Sequence, residues 1–304
     1  MTHWIETLLA GSCEVPHCAS TADWWPRHLA RSRETPDTLA QAILGGHFAD
    51  RVGWAFASAY QAALRALVPD LPADTVAALC VTEKEGNAPR AIRSELRGGR
   101  LNGSKRWTTL GPEGQLFLVV ARDASVPSEV PALRVLRVHA GQPGVQVDPM
   151  PPTPFVPEVP HASLRFGNVE VAESAVLPGD GYLRYVKPFR TVEDLHVQAA
   201  VLAYLVREAR RLAWPRAWIE SAVAQLLSLE AIARLPPLSS ATHIALAGAL
   251  AGVTQRVAEA DRYWLATGED EAAVRWRRDR ALFDVAAAQR DKRRERAWER
   301  LAPA

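Results

Sequence analysis

The apolar residues of this chain change their spacing twice. Over residues 1–76 they fall at helical intervals, over 77–181 at mostly alternate positions, and over 182–304 at helical intervals again. A stripe with a period of 3.6 buries itself as a helix, and an alternating pattern does so as a strand. The double switch predicts an α+β chain in three parts: a helical N-terminal part (1–76), an antiparallel, β-barrel-like middle (77–181) and a C-terminal four-helix bundle (182–304). In the first part, Val52, Phe56, Ala59, Ala63 and Leu67 share one face of a helix predicted over 51–68. Asp50 stands where it can cap that helix, and Pro69 and Pro72 stop it. Trp24-Trp25-Pro26 reads as a buried anchor or as an exposed aromatic contact. In the last part, segments at 191–212, 218–233, 240–266 and 270–301 are split by Trp214-Pro215, Pro236-Pro237 and Gly268. Such short breaks favour antiparallel neighbours. Between these parts, the proline-rich tract 149–160 excludes regular structure and reads as a surface connection.

The most informative stretch is 79–109. Leu79-Cys80-Val81-Thr82 is a short strand-like run ending in the charged turn 83–87. The chain then passes turns at Gly98-Gly99 and Asn102-Gly103 and leaves through Lys105-Arg106-Trp107-Thr108-Thr109. Strand ends with free hydroxyls and an indole make a platform for a flat polar ligand. Trp107 supplies a face, and Thr82, Thr108 and Thr109 supply hydrogen bonds to ring heteroatoms. The other reading is a pair of ordinary hairpins with surface threonines.

LCVTE (79–83) followed by LNGSKRWTT (101–109) resembles the acyl-CoA dehydrogenase superfamily, whose middle domain carries a TE segment and then LNG-x-K-x-W-I-T. Phe166, Asn168, Val169, Val171 and Leu177 also fall in the order of that family's β-domain ending, with Ala172 where the family has Pro. The resemblance implies one FAD per subunit, with Trp107 packed on the flavin and Thr82 and Thr109 hydrogen-bonded to the isoalloxazine. It implies α,β-desaturation of an acyl thioester, carried by CoA or a carrier, in a homodimer or homotetramer. Arg211, with Trp214-Pro215, echoes the family's R-x-x-F-G, whose Arg reaches the cofactor pyrophosphate of a neighbouring subunit. Its other reading, with Arg210, is a helix C-terminal charge pair. Some members place the catalytic base at the start of the first bundle helix, which here falls on Glu193. Thr191, Glu193 and Asp194 are equally what a helix N-terminus takes. The chain departs from the family at 84–89, where Lys84-Glu85-Gly86-Asn87-Ala88-Pro89 replaces P-x-A-G-S-D. Both helical parts are shorter than usual, and no Gly-rich C-terminal motif follows a Glu. A flavin-free relative acting as a binding or scaffold subunit is the alternative these departures support.

Other classes fare worse. A net charge of +2 gives no general pull towards nucleic acid or anionic membranes. Three cysteines are too few for a disulfide framework and suit a reducing compartment, and the N-terminus lacks the basic region of a signal peptide. No apolar tract approaches the ~20 residues of a membrane span, so a soluble, cytoplasmic protein is expected. Cys13, His17, Cys18 and His28 do not have a zinc spacing, and no metal is expected. There is neither a P-loop nor a G-x-G-x-x-G loop. The Arg-rich segment 275–300 interleaves acids at helical spacing (Arg275 with Asp279, Arg280 with Asp284, Asp291 with Arg294) and reads as a solvated face. Trp214, Trp218, Trp264, Trp276 and Trp298 either serve a subunit interface or fill the bundle core.

Overall fold

The computed structural model describes residues 3–126, 132–268 and 270–302, and the chain divides into two compact units. Met1–Ala66, Pro154–Glu158 and Thr191–Ala304 form a helical unit; Leu67–Thr153 and Val159–Arg190 form a sheet unit. Helices from both ends of the chain thus share one unit, together with a short piece of the proline-rich tract.

The sheet unit holds β1 (Ala77–Cys80), β2 (Glu95–Arg97), β3 (Arg100–Thr109), β4 (Leu116–Asp123), β5 (Leu133–His139), β6 (Val145–Pro149) and β7 (His161–Glu170). All join one sheet. On one edge of β4, β5 runs antiparallel. On the other edge β1 runs parallel, Ala77 opposite Leu116, and β2 continues in the same direction, Glu95 opposite Arg122. β3 pairs antiparallel with β2 and with β7, and β6 with β7. The sheet is therefore mixed, a correction to the antiparallel expectation. The cause is residues 81–94, which do not fold back as a hairpin. They loop out and return, so β2 resumes beside β4 along the line of β1. Glu83 fastens the loop: its carboxylate accepts the N–H of Arg93 at 2.6 Å and of Ser94 at 3.0 Å. The turn expected at Asn102-Gly103 also lies inside β3. Gly103 has φ +138°, and a Cβ there would come within 2.4–2.6 Å of Ser94 atoms, so it marks an irregularity in the pairing rather than a reversal. Phe117, Val119, Leu136, Leu164 and Val169 are among the side chains that fill the core of this unit.

The helical unit opens with α1 (His3–Ala10), α2 (Thr21–Glu34), α3 (Thr38–His47) and α4 (Val52–Leu67). Ser20 and Asp23 form a capping box at the start of α2, and Asp37 caps α3 through the Ala40 N–H. α4 is buried on nearly every side. Trp24 stacks on Trp54, ring centroids 5.4 Å apart, and gives its indole N–H to Ser58 at 3.0 Å, so this tryptophan is a core anchor. Asp50 does not cap α4. Its carboxylate instead takes the Cys18 N–H and the Arg51 guanidinium, tying the preceding loop down.

After a π turn at Tyr182–Val186 come α5 (Lys187–Arg211), α6 (Arg216–Ala233), α7 (Ser240–Ala266), α8 (Glu271–Asp279) and α9 (Ala287–Leu301). The single helix expected over 270–301 is broken at Arg280–Asp284, a 3₁₀ stretch without glycine or proline to announce it. Phe283 packs there on Trp276, and the Arg290 guanidinium donates to the Phe283 carbonyl. Two of the three charge pairs read from spacing are different: Arg275 meets Glu271 and Arg280 meets Asp261, while Asp291 does meet Arg294. Asp279 is fully buried, taking Arg278 and the N–H of Val156, which docks the segment Pro154–Glu158 onto α8.

Contacts between α5 and the N-terminal helices explain why they form one unit. A Cβ on Gly46 would sit 1.9 Å from the Ala200 carbonyl oxygen, so α3 and α5 touch through bare backbone. Arg207, fully buried, donates to the carbonyls of His47 and Ala49 and pairs with Glu208. Three buried histidines complete this core. Burial, reinforced by Arg65 and Arg31, takes His28 down to about 3. Burial, with Arg207 and Arg210, takes His47 to about 4. Burial takes His196 to about 4, although Val192 and Asp37 pull the other way.

Candidate functional site

The residues singled out at 79–109 come together through one local device. In β3, Lys105 lies opposite Leu164 of β7, and Thr108 lies opposite Ala162. Three steps on one strand match two on the other, so β3 carries one extra residue, a β-bulge. Simple alternation would send Trp107 into the core beside Lys105. The bulge turns it outward instead: Lys105 and Thr108 are buried, while Arg106 and Trp107 face out, Trp107 being 50% exposed. Trp107 adopts φ +58°, a left-handed conformation that costs a non-glycine residue of order 1 kcal/mol.

Around Trp107 the backbone gathers its neighbours. The Thr82 carbonyl accepts the Arg106 N–H at 2.8 Å, which brings the end of β1 alongside the bulge. Thr109 pairs with His161, and the His161 ring meets the indole edge-on, 6.1 Å between centroids. Burial lowers the pKa of His161, and the Val159 backbone opposes that effect. Thr82 and Thr109 are half-buried. Thr108 points the other way: it is buried, and its hydroxyl donates to Cys80 Sγ at 3.8 Å. It belongs to the β core and not to the face that carries Trp107.

Two charges inside the sheet unit lock this arrangement. Lys105 Nζ lies 2.6 Å from Glu83 Oε1, both side chains almost wholly buried, and also donates to the Val81 carbonyl. Burial pushes the Glu83 carboxyl up, but the Lys105 ammonium and the N–H groups of Ser94 and Arg93 outweigh it and hold it below the usual carboxylate range. This pair joins the two sequence motifs, 79–83 and 101–109, to each other. The sequence pattern reads Glu83 only as the first residue of a charged turn. The signal that identifies it is Lys105, a cation on the inward-facing side of β3 between Leu101 and Thr108. His161 was missed as well, because only the bulged register places it beside Trp107.

The remaining candidates lie in the helical unit. Glu193 is half-buried in the second turn of α5. That helix starts at Lys187, so Glu193 is not an N-terminal cap, and neither is Thr191, which is fully buried. Its neighbour Asp194 is buried and takes both Arg290 and Arg293 of α9. Arg211, exposed at the end of α5, meets Asp270 at 3.1 Å through two nitrogens and Glu208 at 2.7 Å. Trp214 is buried against Trp218, Tyr263 and Trp264. Trp276 extends this aromatic cluster, so four of the five C-terminal tryptophans fill the unit's core, and Trp298 alone is exposed. Cys18 and His28 are buried, and among the described residues no group of three His, Cys, Asp or Glu side chains converges as a metal site. Nor is any described helix long and apolar enough to cross a membrane.

These positions test the chain against FAD. The ring side fits: an outward indole held at a strained bulge, with Thr82 and Thr109 on its flanks. The pyrophosphate side does not fit as read from sequence, because Arg211 is already engaged by two carboxylates.

No protein-family model and no curated protein sequence matches the chain. Solved structures do. A structure of PigA with FAD and proline superposes with a TM-score of 0.70 at 14% identity, over 93% of this chain and 90% of that one. Glutaryl-CoA dehydrogenase from Mycobacterium smegmatis gives 0.69 at 13% identity, over 99% and 93%. FkbI, described as acting in biosynthesis of a methoxymalonyl extender unit, gives 0.63 at 18% identity, over 88% and 84%. The chain has the fold of acyl-CoA dehydrogenase-family structures.

Proposed function

We propose that this chain is an FAD-dependent oxidoreductase of the acyl-CoA dehydrogenase type, acting in the cytoplasm on an acyl thioester carried by CoA or by a carrier protein. The observation that carries the reading is Trp107, turned out of the sheet by a bulge at the cost of a left-handed backbone. Strain of this kind persists where the surroundings over-determine it, and functional sites are where it concentrates. Trp107 would stack on the isoalloxazine, with Thr82 and Thr109 as its polar contacts. FAD held there would supply the acceptor for the β-hydride. Glu193 is the proposed base, taking the α-proton of the thioester. Assembly into a homodimer or homotetramer belongs to the same proposal, and light scattering at micromolar concentration tests it.

The purified chain should show flavin absorbance after incubation with FAD, and Trp107→Gly should lose it. Because glycine relieves the positive φ, which offsets part of the packing and chain entropy it gives up, that variant should keep its folded circular dichroism spectrum. Loss of flavin without loss of fold is what a binding role, and not a structural one, produces. Glu193→Gln should slow flavin bleaching by thioesters about 10²–10⁴-fold, and unchanged bleaching in that variant would remove Glu193 from its role. A second reading, a flavin-free scaffold or binding protein, is favoured by the capture of Arg211 by Asp270 and Glu208. A colourless chain that takes up no FAD selects it.

A further inference from the structure

The face between α7 and α9 of the helical unit carries a cavity of about 360 Å³ that no part of the proposed chemistry uses. Its two walls differ in kind. Leu246, Ala247 and Leu250 of α7 give an apolar floor, wide because the alanine leaves room. Arg290, Arg293 and Arg294 of α9, spaced so that all three share one helix face, give a guanidinium wall. Arg290 and Arg293 share the single carboxylate of Asp194, and Arg294 reaches Asp291 at 3.4 Å in an open, half-exposed pair. Three guanidiniums set against two carboxylates leave one positive charge uncompensated. α9 adds to it: its N-terminus, at the Ala287 end of the cavity, has neither a side-chain cap nor an acid in its first turn. The positive end of the helix is therefore not neutralised there by its own side chains.

We infer that this cavity is a binding site for a monoanionic carboxylate carrying a short apolar chain. The excess charge matches one negative charge and not two. A guanidinium fork donates two parallel hydrogen bonds to a carboxylate. The volume lies at the small end of the range for ligand pockets, ~300–1,000 Å³. From Leu246 to Thr254 the floor spans eight helical rises, about 12 Å, room for a chain of roughly six to eight carbons.

Calorimetric titration of the full chain with octanoate tests the inference and reads binding alone, so its outcome is separate from that of the flavin proposal. Octanoate should bind the wild type with a millimolar or better Kd. Arg294→Gln, at a half-exposed position, should weaken it about tenfold, and Ala247→Leu, which narrows the floor, should weaken it at least as much. Circular dichroism of both variants confirms that the fold is kept. Inorganic phosphate and octanol serve as probes of the anionic head and the apolar chain alone, and each should bind more weakly than octanoate. No octanoate binding at 10 mM overturns the inference. So does binding that neither variant changes, and so does phosphate binding as tightly as octanoate, which would make the site a simple anion pocket.

Discussion

The two units bury charge in opposite ways. The sheet unit encloses the Lys105–Glu83 ion pair and uses it locally, to join two motifs that flank a bulge. The helical unit spreads its buried polar groups across the whole core: neutral His28, His47 and His196, the Arg207–Glu208 pair, and Asp279 beneath the segment Pro154–Glu158. The first arrangement is compact. The second is distributed, with its members on α2, α3, α5 and α8.

Acid should separate the units most strongly. A histidine held neutral in the folded state contributes stability that is present above its unfolded pKa of about 6.5 and is lost as pH falls through the folded value. For the three histidines of the helical unit those values are about 3, 4 and 4, so between pH 6.5 and 4 this unit should lose several kcal/mol. In the sheet unit only His161 is shifted downward in the same sense among the described histidines, and the Glu83 contribution is lost only below its unfolded value of 4.5. Amide exchange followed from pH 7 to 4 should show helix protection failing before sheet protection. The reverse order would undo the comparison.

Next in size is Lys105→Met. It strands a buried carboxylate, and breaking such a pair typically costs about 3–5 kcal/mol. The loss should fall on amides of β1, β2 and β3, with the helical unit spared, and Glu83→Gln added to it should restore part of the stability. Equal loss in both units would mean that the pair is not a local fastening. The smallest effects come from two glycines of the helical unit. Gly46→Ala forces a methyl against the Ala200 carbonyl and should destabilise by about 1–3 kcal/mol. Gly248→Ala, mid-helix in α7 with nothing within 4 Å, should stabilise by about 1 kcal/mol. Thermal melts of the pair measure how unevenly this unit tolerates a single added carbon.

The same contrast decides what the amino-acid string reveals. The bulge around Trp107 and Thr109 lies within one contiguous string, LNGSKRWTT, whereas Thr82 reaches it from an earlier segment through the backbone bond to Arg106. The partnership of Glu83 with Lys105 crosses 22 residues and looks like a charged turn until the register is known. In the helical unit the stripes announce helices, but their partners lie far off: Arg211 takes Asp270, 59 positions away, and Arg293 takes Asp194, 99 positions away. Helical spacing carries no information about which carboxylate such an arginine meets. The break between α8 and α9 was hidden for a related reason, since packing of Phe283 on Trp276 makes it and no helix-breaking residue does. The parallel placement of β1 and β2 was equally hidden, because alternation reports faces and not direction.

The short segment Pro154–Glu158, held by Asp279, has a consequence for how the chain is made. Its residues and Met1–Ala66 belong to a unit whose remaining members, from Thr191 on, leave the ribosome after the sheet unit. The sheet unit is contiguous apart from that excursion and has all its strands once residue 170 has emerged. Synthesis at ~5–20 residues per second leaves at least several seconds in which α1 to α4 exist without the helices that bury Gly46 and His47. During that interval the apolar surface of α4 is open to wrong partners, so chaperone demand should track the N-terminal helices even though the sheet carries the motif.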